Sequence, residues 1–167
     1  MMHQVYAECF AEEYISRKIL GGRVSHRKVS GIGWVVNEVT KATNRPVVGL
    51  IDSDKGVHVP KLVSTNFKTL QEENNIHFSK HTSKEVFLIQ LNSNFEEWVA
   101  KECIRLGLDM STYNLDSNQE KLSKELARFK RVSEHNQIKR LLDFLLNDAR
   151  CYLHTHYKRY LHEALRS

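Results

Sequence analysis

Residues 47–56, VVGLIDSDKG, decide the fold class of this 167-residue chain. The first five of them form a nearly continuous apolar run, which is typical of a strand buried on both faces of a parallel sheet. The run ends abruptly at Asp52 and Asp54, two carboxylates that are two positions apart. Ligands of open parallel sheets bind at the carboxyl ends of the strands. The stretch therefore predicts a central strand with a ligand site at its end.

Segments of strand and helix character alternate on both sides of this run. Strands are predicted at residues 5–7, 27–30, 47–51, 76–78 and 86–91. Helices are predicted at residues 10–20, 34–39, 62–70 and 95–107 and, after a polar loop at 109–118, through most of the remaining chain. Two consecutive parallel strands need a crossover connection, which is usually a helix. The alternation therefore predicts an α/β fold with a mostly parallel sheet flanked by helices.

The composition is ordinary for a globular domain, with 41% hydrophobic and 27% charged residues. No run of about 18 apolar residues occurs, so no membrane span is expected. Glu8, Glu12 and Glu13 interrupt the N-terminal segment, which therefore lacks the apolar stretch of a signal peptide. The three cysteines show no CxxC spacing and are expected to be reduced thiols without a disulfide. Together these features predict a cytoplasmic protein.

The chain has the length of one domain. We predict an α/β part at residues 1–108 and a helical C-terminal extension at residues 109–167 that packs on it. Lys and Arg number 25 against 20 Asp and Glu, and the basic excess lies mainly after Lys121. This distribution favours DNA or RNA as a partner, because each neutralised phosphate releases counterions. A net charge of +5 is also compatible with a role in solubility alone.

Three carboxylates are predicted to meet at one edge of the sheet. Glu8 follows the first predicted strand, and Asp52 and Asp54 follow the strongest one. Adjacent strands lie about 4.8 Å apart, so carboxylates from two strand ends can share one ion. Hard oxygen ligands in this number suit Mg²⁺, or Mn²⁺ in its place. The alternative is that Asp-x-Asp forms a turn or caps a helix, as it often does after a strand.

The order of these acidic residues resembles the TOPRIM domains of topoisomerases, primases and overcoming-lysogenization-defect-type nucleases. In that family a Glu ends the first strand, an acidic residue follows four positions later, and Asp-x-Asp ends a later hydrophobic strand. The matching positions here are Glu8, Glu12, and Asp52 with Asp54. The resemblance covers roughly residues 4–100 and implies a TOPRIM-like fold. In small nuclease-like members an acidic residue often precedes a Trp by two positions, and Glu96 matches it.

The resemblance implies Mg²⁺-dependent hydrolysis of phosphodiester bonds, because the chain has little room for the extra domains of a topoisomerase or a primase. Asp52 and Asp54 would hold the ion against the scissile phosphate, and Glu8 would act as a ligand or as a general base. A second ion would lie near Glu12 or near Glu96. Lys55 would offset charge on a phosphate oxygen, unless it is an ordinary solvated turn residue.

Two other functions are compatible with the sequence. Most TOPRIM members have Gly where this chain has Cys9, and this departure favours a noncatalytic module that binds a protein partner. Nuclease-like members often act beside an ATPase, sometimes in defence against phage, so an ATPase is the partner that the resemblance implies. The other alternative is a receiver-type domain with Asp54 as phosphoacceptor, but no suitable Lys follows at residues 86–91. The sequence leaves homo-oligomerisation open.

Motifs elsewhere in the chain give weaker signals. His154 and His156 are two apart in a predicted helix, where they point to different faces, so the pair does not predict a zinc site. Tyr152, Tyr157 and Tyr160 alternate with basic residues in the same helix. This pattern predicts rings packed on the core, with a basic face that contacts either phosphate or solvent.

Overall fold

A computed structural model of the chain describes residues 5–21, 24–26, 31–42, 45–53, 59–128 and 135–166. These residues form an α/β fold with one six-stranded sheet in the order β2-β1-β3-β6-β5-β4. The strands are β1 (Val5–Ala7), β2 (Val24–His26), β3 (Val47–Asp52), β4 (Phe67–Glu73), β5 (Ile76–His81) and β6 (Val86–Leu91). The described α-helices are α1 (Phe10–Leu20), α2 (Ile32–Thr40), α3 (Lys61–Asn66), α4 (Phe95–Arg105), α5 (Gln119–Ala127), α6 (Asn136–Asn147) and α7 (Lys158–Arg166).

Four of the six strands, β2, β1, β3 and β6, run parallel to one another, which confirms the predicted mostly parallel arrangement. Strand β1 lies between β2 and β3, and β3 pairs in parallel with β6. Every residue of β3 is buried, as its apolar run predicts. Strand β2 is described at Val24–His26, and the strand predicted at residues 27–30 lies outside the described residues.

The prediction of a helix at residues 62–70 is wrong for the second half of that range. Only Lys61–Asn66 is helical, and the chain continues as strand β4, which forms an antiparallel hairpin with β5. Asn74 and Asn75 form the turn, with positive φ angles of 52° and 62°. Asn tolerates this left-handed conformation, which two-residue hairpin turns require. A bulge shifts the register of the pair between Thr69 and Gln71.

Helices cover both faces of the sheet. Helix α2 packs on one face, where Val35 and Val39 lie against β3 and β6. The other face is covered by α1, α4 and the C-terminal helices, which share one hydrophobic core with Val48 and Ile89 of the sheet. Close packing on the α2 side depends on Gly49, which has no side chain to separate strand from helix. None of the described helices is long and apolar enough to cross a membrane.

The C-terminal residues include a π-helical turn. Residues Leu153–Tyr157 form this turn immediately before α7. Tyr157 and Tyr160 are fully buried, and Tyr160 stacks on Phe78 of β5 at a ring separation of 4.9 Å. Their rings therefore pack on the core, as the sequence predicts.

Candidate metal centre

The parallel pairing of β1 with β3 brings Glu8 and Asp52 into contact. Ala7 lies opposite Leu50, so Glu8, which follows β1, reaches the end of β3. Glu8 Oε2 accepts a hydrogen bond from the backbone N–H of Asp52 at 3.1 Å. The two residues are 44 positions apart in the sequence. The structure thus places them together at the carboxyl edge of the sheet, where ligands of such folds bind.

A backbone N–H group at the start of α4 orients the carboxylate of Asp52. Its Oδ2 accepts a hydrogen bond at 3.0 Å from the N–H of Phe95, the first residue of α4. The N-terminus of a helix carries partial positive charge and favours a carboxylate. Next to it, Ser53 bonds to the carbonyl of Leu91 at the end of β6 through both its N–H and its hydroxyl. These bonds fix the end of β3 against β6 and α4.

Glu12 organises the turn between β1 and α1. Its Oε2 accepts hydrogen bonds from the N–H of Glu8 at 3.0 Å and of Cys9 at 3.2 Å. In return, Cys9 Sγ accepts from the N–H of Glu12, which completes a capping box. Cys9 has φ −125° and ψ 164°, an extended conformation that any residue adopts. The backbone conformation at Cys9 therefore does not require Gly.

Negative charge is concentrated around these residues. Burial raises the pKa of Glu12 well above its ordinary value, and the charges of Asp52 and Glu8 raise it further. The two N–H bonds that Glu12 accepts act in the opposite direction. Burial also raises the pKa of the Cys9 thiol, with further contributions from Glu12, Glu96 and Asp52. We call Glu8, Glu12, Asp52 and Glu96 the acidic cluster. Such a cluster costs free energy unless a proton or a cation compensates the charge.

Four of the six predicted site residues thus belong to the acidic cluster. Asp54 and Lys55 lie outside the described residues, so their predicted roles stay predictions. In the described part of the chain, no group of three or more His, Cys, Asp and Glu side chains is arranged to hold a metal ion. The carboxylate donors nevertheless have the hard oxygen chemistry that Mg²⁺ and Mn²⁺ prefer.

The sequence did not indicate that Tyr157 and Ser16 adjoin the acidic cluster. Ser16 follows Glu12 by four positions on α1, so both side chains lie on one helix face, and both are fully buried. Tyr157 reaches the same place from the π-helical turn. Burial raises the pKa of its hydroxyl, and the charge of Glu12 raises it further. The spacing of Glu12 and Ser16 was visible in the sequence, but the approach of Tyr157 depends on tertiary packing.

Some basic residues of the C-terminal extension pair with acidic groups of the protein itself. Arg159 pairs with Glu73 of β4 at 2.9 Å. Arg150 pairs with Asp148 at 2.6 Å. The guanidinium of Arg105, on α4, stacks over the Tyr152 ring of the extension at 4.0 Å. Two of the cations predicted to contact nucleic acid thus have partners within the chain.

Comparisons with protein-family models, with curated proteins and with solved structures found no match to this chain. Its function is therefore inferred from the geometry of the acidic cluster and from the resemblance of its residues to the TOPRIM pattern.

Proposed function

We propose that the chain is a TOPRIM-like nuclease that hydrolyses phosphodiester bonds of DNA or RNA with Mg²⁺ or Mn²⁺. The observation that supports this proposal is the contact between Glu8 and Asp52 at the carboxyl edge of two adjacent parallel strands. The two residues come from distant parts of the sequence, and both match the acidic positions of the TOPRIM pattern. A site assembled in this way suits a ligand that bridges two strand ends.

The energetics of the acidic cluster favour a bound cation. Glu8 and Asp52 both act to raise the pKa of the buried Glu12, so the carboxylates repel one another. A divalent ion would offset this repulsion, because its positive charge attracts each ionised carboxylate. Glu8 and Asp52 would hold the ion, with Asp54 as a further ligand. The ion would supply Lewis acidity toward a phosphate oxygen and lower the pKa of a bound water.

Glu12 and Glu96 would serve a different part of the site. The resemblance to TOPRIM domains implies a second ion near Glu12 or near Glu96. In the structure, Glu12 already accepts two backbone hydrogen bonds and is fully buried, which also suits a role in holding the Glu8 turn. Glu96 lies in the first turn of α4, next to the residue that orients Asp52.

A noncatalytic module that binds a protein partner, such as an ATPase, is the second candidate. Two observations favour it. The carboxylates of Glu8 and Asp52 each accept a backbone hydrogen bond that helps to hold the fold together. In addition, Arg150 and Arg159 form ion pairs within the chain, which reduces the cationic surface offered to nucleic acid.

Calorimetric titration with Mn²⁺ distinguishes the two functions, using Asp52→Asn and the matched control Asp148→Asn. Each substitution replaces one carboxylate by an amide, and both Asp side chains accept a backbone hydrogen bond that Asn can still accept. The Mn²⁺ affinity of Asp52→Asn is expected to fall at least about tenfold, equivalent to about 1.4 kcal/mol, and that of Asp148→Asn to change by less than about twofold.

Nucleic-acid cleavage by the same proteins then tests the chemistry. The wild type and Asp148→Asn are expected to cleave with Mn²⁺ present, and Asp52→Asn is expected to lose the activity. Equal cleavage by purified Asp52→Asn would refute the nuclease proposal. Folded wild type that binds no Mn²⁺ would favour the noncatalytic module.

A further inference from the structure

The π-helical turn at Leu153–Tyr157 positions Tyr157 beside the acidic cluster. A π-helical turn contains one more residue than an α-helical turn, so it changes the direction of the side chains that follow. Such turns are rare and are frequent at functional sites. Here the turn immediately precedes α7, and Tyr157 is fully buried with its hydroxyl near Glu12 and Ser16 of α1 and near Cys9.

Three polar atoms gather in this buried place. They are Glu12 Oε1, Ser16 Oγ and the Tyr157 hydroxyl oxygen, and we call them the polar trio. None of them has a partner of normal hydrogen-bond geometry within the described residues, although the hydroxyls of Ser16 and Tyr157 lie close enough to interact with each other. Most buried polar groups in proteins are hydrogen-bonded, so three neighbouring exceptions require an explanation. Phe in place of Tyr157 and Ala in place of Ser16 would fill the same space without the free-energy cost of burying an unpaired hydroxyl group.

The polar trio is connected to the predicted metal ligands through Glu12. While Oε1 belongs to the polar trio, Oε2 of the same carboxyl group accepts hydrogen bonds from the N–H groups of Glu8 and Cys9. The side chain of Glu8 in turn accepts the N–H of Asp52. The orientation of the Glu12 carboxyl group therefore determines the position of the turn that presents Glu8. A group that restrains Oε1 also restrains this turn.

We propose that Tyr157 is a positioning residue for the acidic cluster, and that it acts through Glu12. Its hydroxyl gives Oε1 a polar neighbour and so favours the orientation in which Oε2 holds the turn. The C-terminal extension thereby becomes part of the site. The role in metal binding rests on the proposed function, whereas the effect on the turn does not.

Amide hydrogen exchange in EDTA tests the effect on the turn without any metal. The variant is Tyr157→Phe, and the matched control is Tyr160→Phe, which removes a hydroxyl that bonds to Glu73 instead. The amides of Glu8 and Cys9 are expected to exchange at least about tenfold faster in Tyr157→Phe and within about twofold of wild type in Tyr160→Phe. Unchanged rates in a folded Tyr157→Phe protein would overturn the proposal.

Ser16→Ala keeps the proposal testable if Tyr157→Phe does not fold. This substitution removes a second hydroxyl of the polar trio and leaves the ring in place. The same two amides are expected to exchange at least about threefold faster in this variant. Rates equal to those of wild type would count against the proposal.

Mn²⁺ titration of the tyrosine variants tests the role in metal binding. The affinity of Tyr157→Phe is expected to fall about tenfold, and that of Tyr160→Phe to stay within about twofold of wild type. Wild type that binds no Mn²⁺ would contradict the proposed function, while the exchange rates would still decide whether Tyr157 holds the turn. If the wild type binds Mn²⁺ and Tyr157→Phe binds it with the same affinity, the positioning role is overturned.

Discussion

Replacing Gly49 by Ala tests how closely strand β3 packs on helix α2. A Cβ atom at this position would lie 2.7 Å from Leu88 Cδ2, 2.9 Å from Val35 Cγ1 and 3.2 Å from Val39 Cγ1. Carbon atoms normally approach to about 3.5 Å, so the two closest contacts are short by about 0.8 and 0.6 Å. Overpacking of a core costs about 1–3 kcal/mol. Ala recovers about 0.5–1 kcal/mol of backbone entropy. The middle values of these two ranges give an expected net loss of about 1 kcal/mol.

Thermal unfolding followed by circular dichroism measures this loss. A chain of this size should lose about 2–4 °C in Tm for each kcal/mol. Gly33→Ala is the matched control, because Gly33 lies in α2 and a Cβ atom there would meet no neighbouring group of the described residues within 4 Å. This control is expected to gain up to about 1 kcal/mol from helix propensity. If Gly49→Ala were as stable as Gly33→Ala, α2 would not pack on β3 as closely as these distances require.

Two further predictions concern buried titratable groups. Because burial raises the pKa of Glu12 above its ordinary 4.5, the folded protein keeps this proton to higher pH than the unfolded chain. The free energy of unfolding of the metal-free protein should therefore fall as pH rises above that value, and Glu12→Gln should flatten this dependence. Urea unfolding between about pH 5 and about pH 9 measures it. An equal pH dependence of the unfolding free energy in the two proteins would contradict this prediction. Burial raises the pKa of Cys103 and of Cys151 to about 12, so both thiols should resist alkylation at neutral pH until the protein unfolds. Mass spectrometry after iodoacetamide treatment checks this, and rapid labelling of either thiol in the folded protein would be inconsistent with its burial.

The centre of the sheet could be predicted because its signals are local. The apolar run of β3 and the acidic residue after it are contiguous in the sequence, and their position follows from general rules for parallel strands. Strand β4 was missed because Phe67–Glu73 contains Lys, Leu, Gln and Glu, which favour helices in isolation. Pairing with β5 determines its conformation. The Asn74-Asn75 pair was the available signal for a hairpin turn.

The candidate site also has a part that could be predicted from the sequence and a part that could not. Glu8 and Asp52 could be paired from the sequence, because each ends a strand and neighbouring parallel strands end at one edge. The support of Glu12 by Tyr157 could not be predicted, since the C-terminal helix reaches α1 only through tertiary packing. A buried Tyr beside an aliphatic core and a buried Tyr beside a carboxyl group look alike in sequence.

The two outer strands of the sheet bear on how copies of this protein could associate. Three residues of strand β2 are described, and the longer β4 is interrupted by its bulge and carries Lys68, Glu72 and Glu73. Short strands, bulges and charged side chains prevent a neighbouring chain from extending a sheet by further strand pairing. The β4 edge is therefore unfavourable for pairing with a strand of a neighbouring chain, and a dimer is expected to form through another surface.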